Sequence, residues 1–207
     1  MIASSVITIG AVAGQTILAL LAGFGFGVLG VVGEKVIFPV VLLGLMISSE
    51  AFIIPLYYEF QSIGLTNSWT GLIILQIGMG VPFGAFWMRA TFRAVPRSLV
   101  EAAQIDGARS WRILWQIMLP IARPSVFTLM LLSFMWTWND FFLSLVFIAD
   151  PAKQPVTLAL GVFQGMHTID VNLMAAGSLI VALPVLILYI VFQRQFLHGV
   201  INGALRE

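Results

Sequence analysis

Four ionisable side chains lie in or beside long apolar runs and bound the chemistry open to this chain: Glu50, Asp140, His167 and His198. They are the candidates for an enzyme acting inside a membrane. The sidedness argued below puts His167 and His198 on opposite faces, which weighs against a shared site. A phosphate-cradling loop needs Gly-Lys-Ser/Thr, but the only lysines stand in Glu34-Lys35-Val36 and Ala152-Lys153-Gln154. Nucleotide hydrolysis therefore has to come from elsewhere. Neither Gly-x-Ser-x-Gly nor His-Glu-x-x-His occurs. His167 has no second His or Cys near it, and the chain has no cysteine, so neither a metal site nor a cofactor site is expected.

The other stretch with chemical content is Glu101 to Pro120, EAAQIDGARSWRILWQIMLP, a charged, Trp-bearing island between apolar runs. Ser98-x-x-Glu101 has capping-box spacing: the Ser98 hydroxyl can take the Glu101 amide while the Glu101 carboxylate returns to the Ser98 amide. Leu99 to Asp106 reads as a short helix, and Gly107 stands where a left-handed residue would end it. Ser110 can start a second helix running to Leu119, with Pro120 and Pro124 interrupting the chain behind it. The product is a helical elbow rimmed by Arg93, Arg97, Arg109 and Arg112, an object another protein could grip.

Composition says what must hold that elbow. Hydrophobic residues make up 60% of the chain and charged ones 9%, and mean hydropathy is +1.03. Soluble domains carry roughly a quarter charged residues, so an all-α, polytopic transmembrane bundle is expected. Its spans fall at about 4–30, 36–59, 70–90, 124–147 and 172–194, with a cytoplasmic loop at 91–123. In the first, Ala19-x-x-x-Gly23-x-x-x-Gly27 either admits a neighbouring helix closely or is an accident of a Gly-rich segment. In the second, Glu50 either lines a solute route or is a buried hydrogen-bonded group near Pro55, since a carboxylate facing lipid costs about 2.5–3.5 kcal/mol. Pro82 marks a kink in the third, after Asn67 and Trp69 at an interface. In the fourth, Asn139 and Asp140 lie ~24 Å along the helix at 1.5 Å per residue. They either touch solute or cap and hydrogen-bond between helices. The connection from Ala149 to Asp170 is read as holding a short helix around Thr157 to Met166.

Six basic residues occupy the elbow connection (Arg89, Arg93, Arg97, Arg109, Arg112 and Arg123), against none at 60–70 and only Lys153 at 149–170. The positive-inside rule then places the elbow, Lys35 and the C-terminal tail in the cytoplasm and leaves Met1 outside. The net charge of +1 gives no reason to expect nucleic acid.

Glu101-Ala102-Ala103, three residues, Gly107, nine residues, Ile117, one residue, Leu119-Pro120 resembles the EAA motif of the membrane subunits of bacterial ABC importers, with every spacing kept. The flanks IPLYYEFQSIGLTNSW (Ile54 to Trp69), FRAVPRSLVEAAQIDGA (Phe92 to Ala108), TWNDFF (Thr137 to Phe142) and LPVLILYIVFQRQFLHG (Leu183 to Gly199) are similar to the maltose-type carbohydrate permeases, the MalG-like partner in particular. The resemblance implies an inner-membrane permease importing a sugar or related polyol. It also implies a second, MalF-like permease, an extracytoplasmic solute-binding protein, and an ATPase homodimer or heterodimer that carries the ATP and Mg. Ser98, Glu101, Ala102, Ala103, Asp106, Gly107, Ile117, Leu119 and Pro120 would couple to that ATPase, with the two alanines allowing close approach. MalG-like subunits have six spans and begin in the cytoplasm, so by that pattern the first span and the loop behind it are missing here. A permease for a non-carbohydrate solute or a passive channel are the remaining readings.

Overall fold

The apolar runs form helices because a chain without water must satisfy its own backbone. The computed structural model describes residues 1–163 and 171–204, and among these there is no strand. Helix α1 is Ile2–Phe24, continued by a π turn at Gly25–Leu29. Then come α2 (Glu34–Met46), α3 (Ser49–Ser62), α4 (Trp69–Arg93) and the short α5 (Arg97–Ile105). A single helical run follows, α6 (Ser110–Ile113), a π turn at Leu114–Met118 and α7 (Leu119–Trp138). After it come α8 (Phe142–Phe147), α9 (Val156–Ala159) and α10 (Val171–Ala204). Among the described residues, four stretches are long and apolar enough to cross a membrane: Ile2–Leu29, Trp69–Arg93, Ser110–Trp138 and Met174–Phe192. A fifth is added if α2 and α3 count as one.

Three expectations need correcting. The second apolar run is two helices, parted at Ile47 and Ser48. The signal was in the sequence: Ser48-Ser49-Glu50 is a helix start, and Ser48 takes the extended N-cap conformation, with φ −68° and ψ 135°. Second, Pro120 and Pro124 do not interrupt the chain, which stays helical from Ser110 to Trp138. The π turn just before Pro120 absorbs its missing N–H, and one lost bond at Pro124 is cheaper than freeing the rest of the backbone. Third, the run expected to reach Phe147 is not one helix: it breaks where Trp138-Asn139-Asp140 interrupts the apolar sequence, and Asn139 to Phe141 separate the helix ending at Trp138 from α8. The short helix expected after Ala149 is present as α9 with a 3₁₀ turn at Leu160–Phe163. Its expected end at Met166 lies outside the described residues.

Residues group into two compact units, Met1–Ala13 with Ile47–Gly78 and Leu131–Gln193, and Gly14–Met46 with Met79–Met130 and Arg194–Glu207. In the second unit, α1 and α4 run parallel in close contact. A Cβ on Gly84 would stand 2.6 Å from that of Ala19, and one on Gly23 would stand 2.5 Å from that of Met88. One on Gly27 would lie 3.2 Å from the Arg89 carbonyl oxygen. The four-residue spacing of small side chains is therefore a packing seam, and both helices advance along it in step. Phe24 and Phe92 close it edge to face at 6.2 Å.

In the first unit, two connections are tied together. The Asn67 N–H donates to the Phe147 carbonyl at 2.8 Å, and its side-chain oxygen accepts from the Asp150 N–H at 3.0 Å. The Trp69 indole N–H donates to the Lys153 carbonyl at 2.9 Å.

Candidate functional site

The elbow forms as a helix closed by a glycine. Helix α5 begins at Arg97 with Pro96 as its N-cap, two residues earlier than the capping-box reading requires. Pro96 presets the extended entry and no side chain caps the helix, so Ser98 lies in the first turn and the Ser98–Glu101 box is not formed. At the other end Gly107 has φ +74°. Its N–H donates to the Gln104 carbonyl at 3.0 Å, and the Ala108 N–H reaches back to the Ala103 carbonyl at 2.9 Å. This pair of bonds is a Schellman motif, which stops the helix and turns the chain into α6.

Which face the elbow offers follows from burial. Ala103 is 7% exposed and packs in a core with Phe92, Val95, Ile113, Leu114 and Met118. Ile117 and Leu119 lie against the same core. Ala102, Glu101, Asp106 and Pro120 are exposed, and Ile105 is 87% exposed. Ala103 therefore lets α5 approach its own unit, which corrects the expectation that both alanines face a partner. The offered face is Leu99, Ala102 and Ile105 with Glu101 at its edge. A cleft of about 530 Å³ opens beside it, lined by Gly27, Gly30, Arg93, Arg97, Glu101 and Gln104 among others.

Behind the elbow stands an ion cluster that motif reading missed. Glu34 accepts from Arg89 Nε at 3.0 Å and pairs with Arg93 Nη2 at 2.6 Å. The Arg89 guanidinium lies 4.0 Å above the Phe38 ring. The Arg89 hydrogen bond holds the Glu34 carboxyl below the usual carboxylate range, against the loss of water that raises it. Nothing at sequence level pairs residues 55 apart, though Glu34 as a lone acid between two apolar runs was a signal.

Glu50, Asn139 and Asp140 belong to the first unit. Glu50 is exposed in the first turn of α3, where the helix dipole favours a carboxylate, and it accepts from the Ser48 hydroxyl. Asn139 donates to the Met135 carbonyl at 2.8 Å. Asp140 takes the capping role: its carboxylate accepts from the Ser144 N–H at 3.2 Å, the Ser144 hydroxyl at 3.0 Å and Gln76 Nε2 at 3.4 Å. His167 and the His198 side chain lie outside the described residues.

Comparison with known proteins bears on what this arrangement serves. The family described as binding-protein-dependent transport system inner membrane component matches residues 2–198. The chain belongs to that family. A probable ABC transporter permease protein of Pyrococcus horikoshii is 33% identical over 191 residues, 92% of this chain and 69% of the relative. The diacetylchitobiose uptake system permease protein NgcG of Streptomyces coelicolor is 34% identical over 84% of this chain and 58% of its own length. AmyC of Thermoanaerobacterium thermosulfurigenes, a probable starch degradation products transport system permease protein, is 35% identical over 83% and 62%. The chain thus spans less than two thirds of these last two relatives. The crystal structure of a bacterial ABC transporter that imports the acidic polysaccharide alginate superposes with a TM-score of 0.80 at 24% identity, covering 94% of this chain and 73% of that one, so the fold is shared. As an ABC importer permease the protein is a multi-pass inner-membrane component of transport, and its relatives are named as permeases rather than enzymes.

Proposed function

We propose that this permease moves a sugar or related polyol inward and takes its energy from a separate ATPase that grips the elbow. The observation that carries the reading is the outward face of α5. Leu99 and Ile105 are large apolar side chains exposed on a helix that the Gly107 turn ends. Apolar surface of this kind, ringed by Arg97, Glu101 and Arg109, is what a partner cleft covers. Closure of the ATPase on ATP would carry the elbow with it, and the helix from Ser110 to Trp138, unbroken, would pass the displacement along the span. Glu101, Ala102, Asp106 and Gly107 serve the docking; Ala103, Ile117 and Leu119 fasten the elbow to its own unit, and Pro120 follows the π turn.

The charge count of the connections supports a cytoplasmic elbow and C-terminus. A second permease and an extracytoplasmic binding protein complete the assembly. The sugar reading is supported by the substrates for which the similar permeases are named, diacetylchitobiose and starch degradation products. The test is to purify the solute-binding protein whose gene neighbours this one and identify its bound molecule. That molecule should be a sugar or polyol whose uptake is lost on deleting this gene; an amino acid or a metal ion there would overturn the substrate class.

A further inference from the structure

Three helix ends meet at Glu34. Its side chain is 17% exposed and sits between Arg89 of α4, 21% exposed, and Arg93, 45% exposed. Phe38, under the Arg89 guanidinium, packs on Phe26 at 5.5 Å, and Arg93 also reaches the Phe26 carbonyl at 3.5 Å. The node therefore fastens the π turn that ends α1, the start of α2 and the end of α4. An ion pair open to water contributes little. Here one carboxylate serves two guanidiniums in a partly dry site with a ring beneath, and the two arginines, one turn apart on one helix face, repel if it is removed.

The node also stands next to the elbow. Only Ala94, Val95 and Pro96 separate Arg93 from α5, and this link is short and packed: the Val95 N–H donates to the Phe92 carbonyl at 3.3 Å, and Val95 is buried in the same core as Ala103. Displacement of α5 must therefore drag the end of α4.

We propose that Glu34 is the positioning residue that passes this displacement from the end of α4 to α2, so that the first half of the broken second run moves with the elbow. The inference rests on the ATPase-coupling reading of α5. Helix α2 ends at Met46 and the next helix starts at Ser49, so α2 moves as a helix of its own. Glu34 touches neither solute nor nucleotide on this account; it acts through Arg89 and Arg93.

The experiment uses the whole transporter in proteoliposomes and measures solute taken up per ATP hydrolysed. The variants are Glu34→Gln, Glu34→Asp and the exchange of Glu34→Arg with Arg93→Glu, and the amount of assembled complex is measured for each. Glu34→Gln is expected to assemble and hydrolyse ATP while uptake per ATP falls at least about five-fold, the low end of coupling between sites. Glu34→Asp and the exchange should restore most of that ratio. An unchanged ratio in Glu34→Gln overturns the proposal, and so does a loss of assembled complex that matches the loss of uptake in all three variants. Gly107→Val run alongside separates the two readings. If it leaves uptake intact the coupling reading itself fails; if it uncouples while Glu34→Gln does not, only the role of Glu34 is lost.

Discussion

The N–H of Ala108 donates to the carbonyl of Ala103 at 2.9 Å, across a residue, Gly107, whose φ is +74°. That bond closes the elbow helix, and it exists only because the residue between them tolerates the left-handed conformation. A Cβ at Gly107 meets nothing within 4 Å, so substitution there is a question of backbone strain and not of space.

Gly107→Val should therefore disturb the turn by about 1–2 kcal/mol without touching the spans. Membrane insertion and protein level are expected to match the wild type while ATP-driven uptake is lost. Gly107→Asn, which accepts this conformation better, should retain more uptake than the valine variant. Transport assays on the two variants check this; equal uptake in both would remove the turn from the mechanism.

Burial separates Ala103 from its neighbours and gives a second prediction. Single cysteines at Ala102 and Ile105 should cross-link to the ATPase with a short reagent. A cysteine at Ala103 should not, because it faces Ile113 and Leu114 inside its own unit. The yield on a denaturing gel decides it. A cross-link from 103 as strong as from 105 would mean that α5 is rotated in the assembled transporter.

Much of this was legible in the residues. The EAA spacing located the elbow and Gly107 its end, because each depends on local geometry; the Ala19, Gly23, Gly27 series offered a seam without naming its partner, which is α4. The start of α5 was misplaced by two residues because Pro96 presets an extended N-cap as well as a capping serine would. On hydropathy the break at Ile47 and Ser48 reads as part of one continuous span, and only the helix-start residues Ser48-Ser49-Glu50 mark it. Glu34 stood out as a lone acid between apolar runs, but its partners could not be read, since a contact between residues 55 apart is a product of folding and leaves no periodic trace.

The seam itself makes a third prediction. A side chain at Gly23 would run into the Cβ of Met88 and the backbone of Met88 and Arg89. Gly23→Leu should cost at least the 1–3 kcal/mol typical of overpacking, seen as a lower melting temperature and less assembled complex. Gly78 lies on the same helix as Met88 with nothing within 4 Å of its Cβ position. Gly78→Ala should be neutral or stabilising by up to about 1 kcal/mol. If both variants behave alike, close approach is not what holds α1 to α4.

Asp140 gives the fourth prediction. Its carboxylate accepts the Ser144 N–H and hydroxyl ahead of α8, and its backbone carbonyl accepts from the Thr157 hydroxyl at 3.1 Å. Loss of a capping side chain costs about 0.5–2 kcal/mol, and an amide oxygen caps nearly as well as a carboxylate. Asp140→Ala should therefore lower thermal stability while Asp140→Asn stays near the wild type, with the solute concentration for half-maximal uptake unchanged in the asparagine variant. The two alternatives respond differently to that amide, because a carboxylate that holds a sugar hydroxyl loses a charge-assisted hydrogen bond when it becomes an amide. A several-fold rise in half-saturation for Asp140→Asn at unchanged stability would thus move Asp140 from the cap of a helix to the path of the solute.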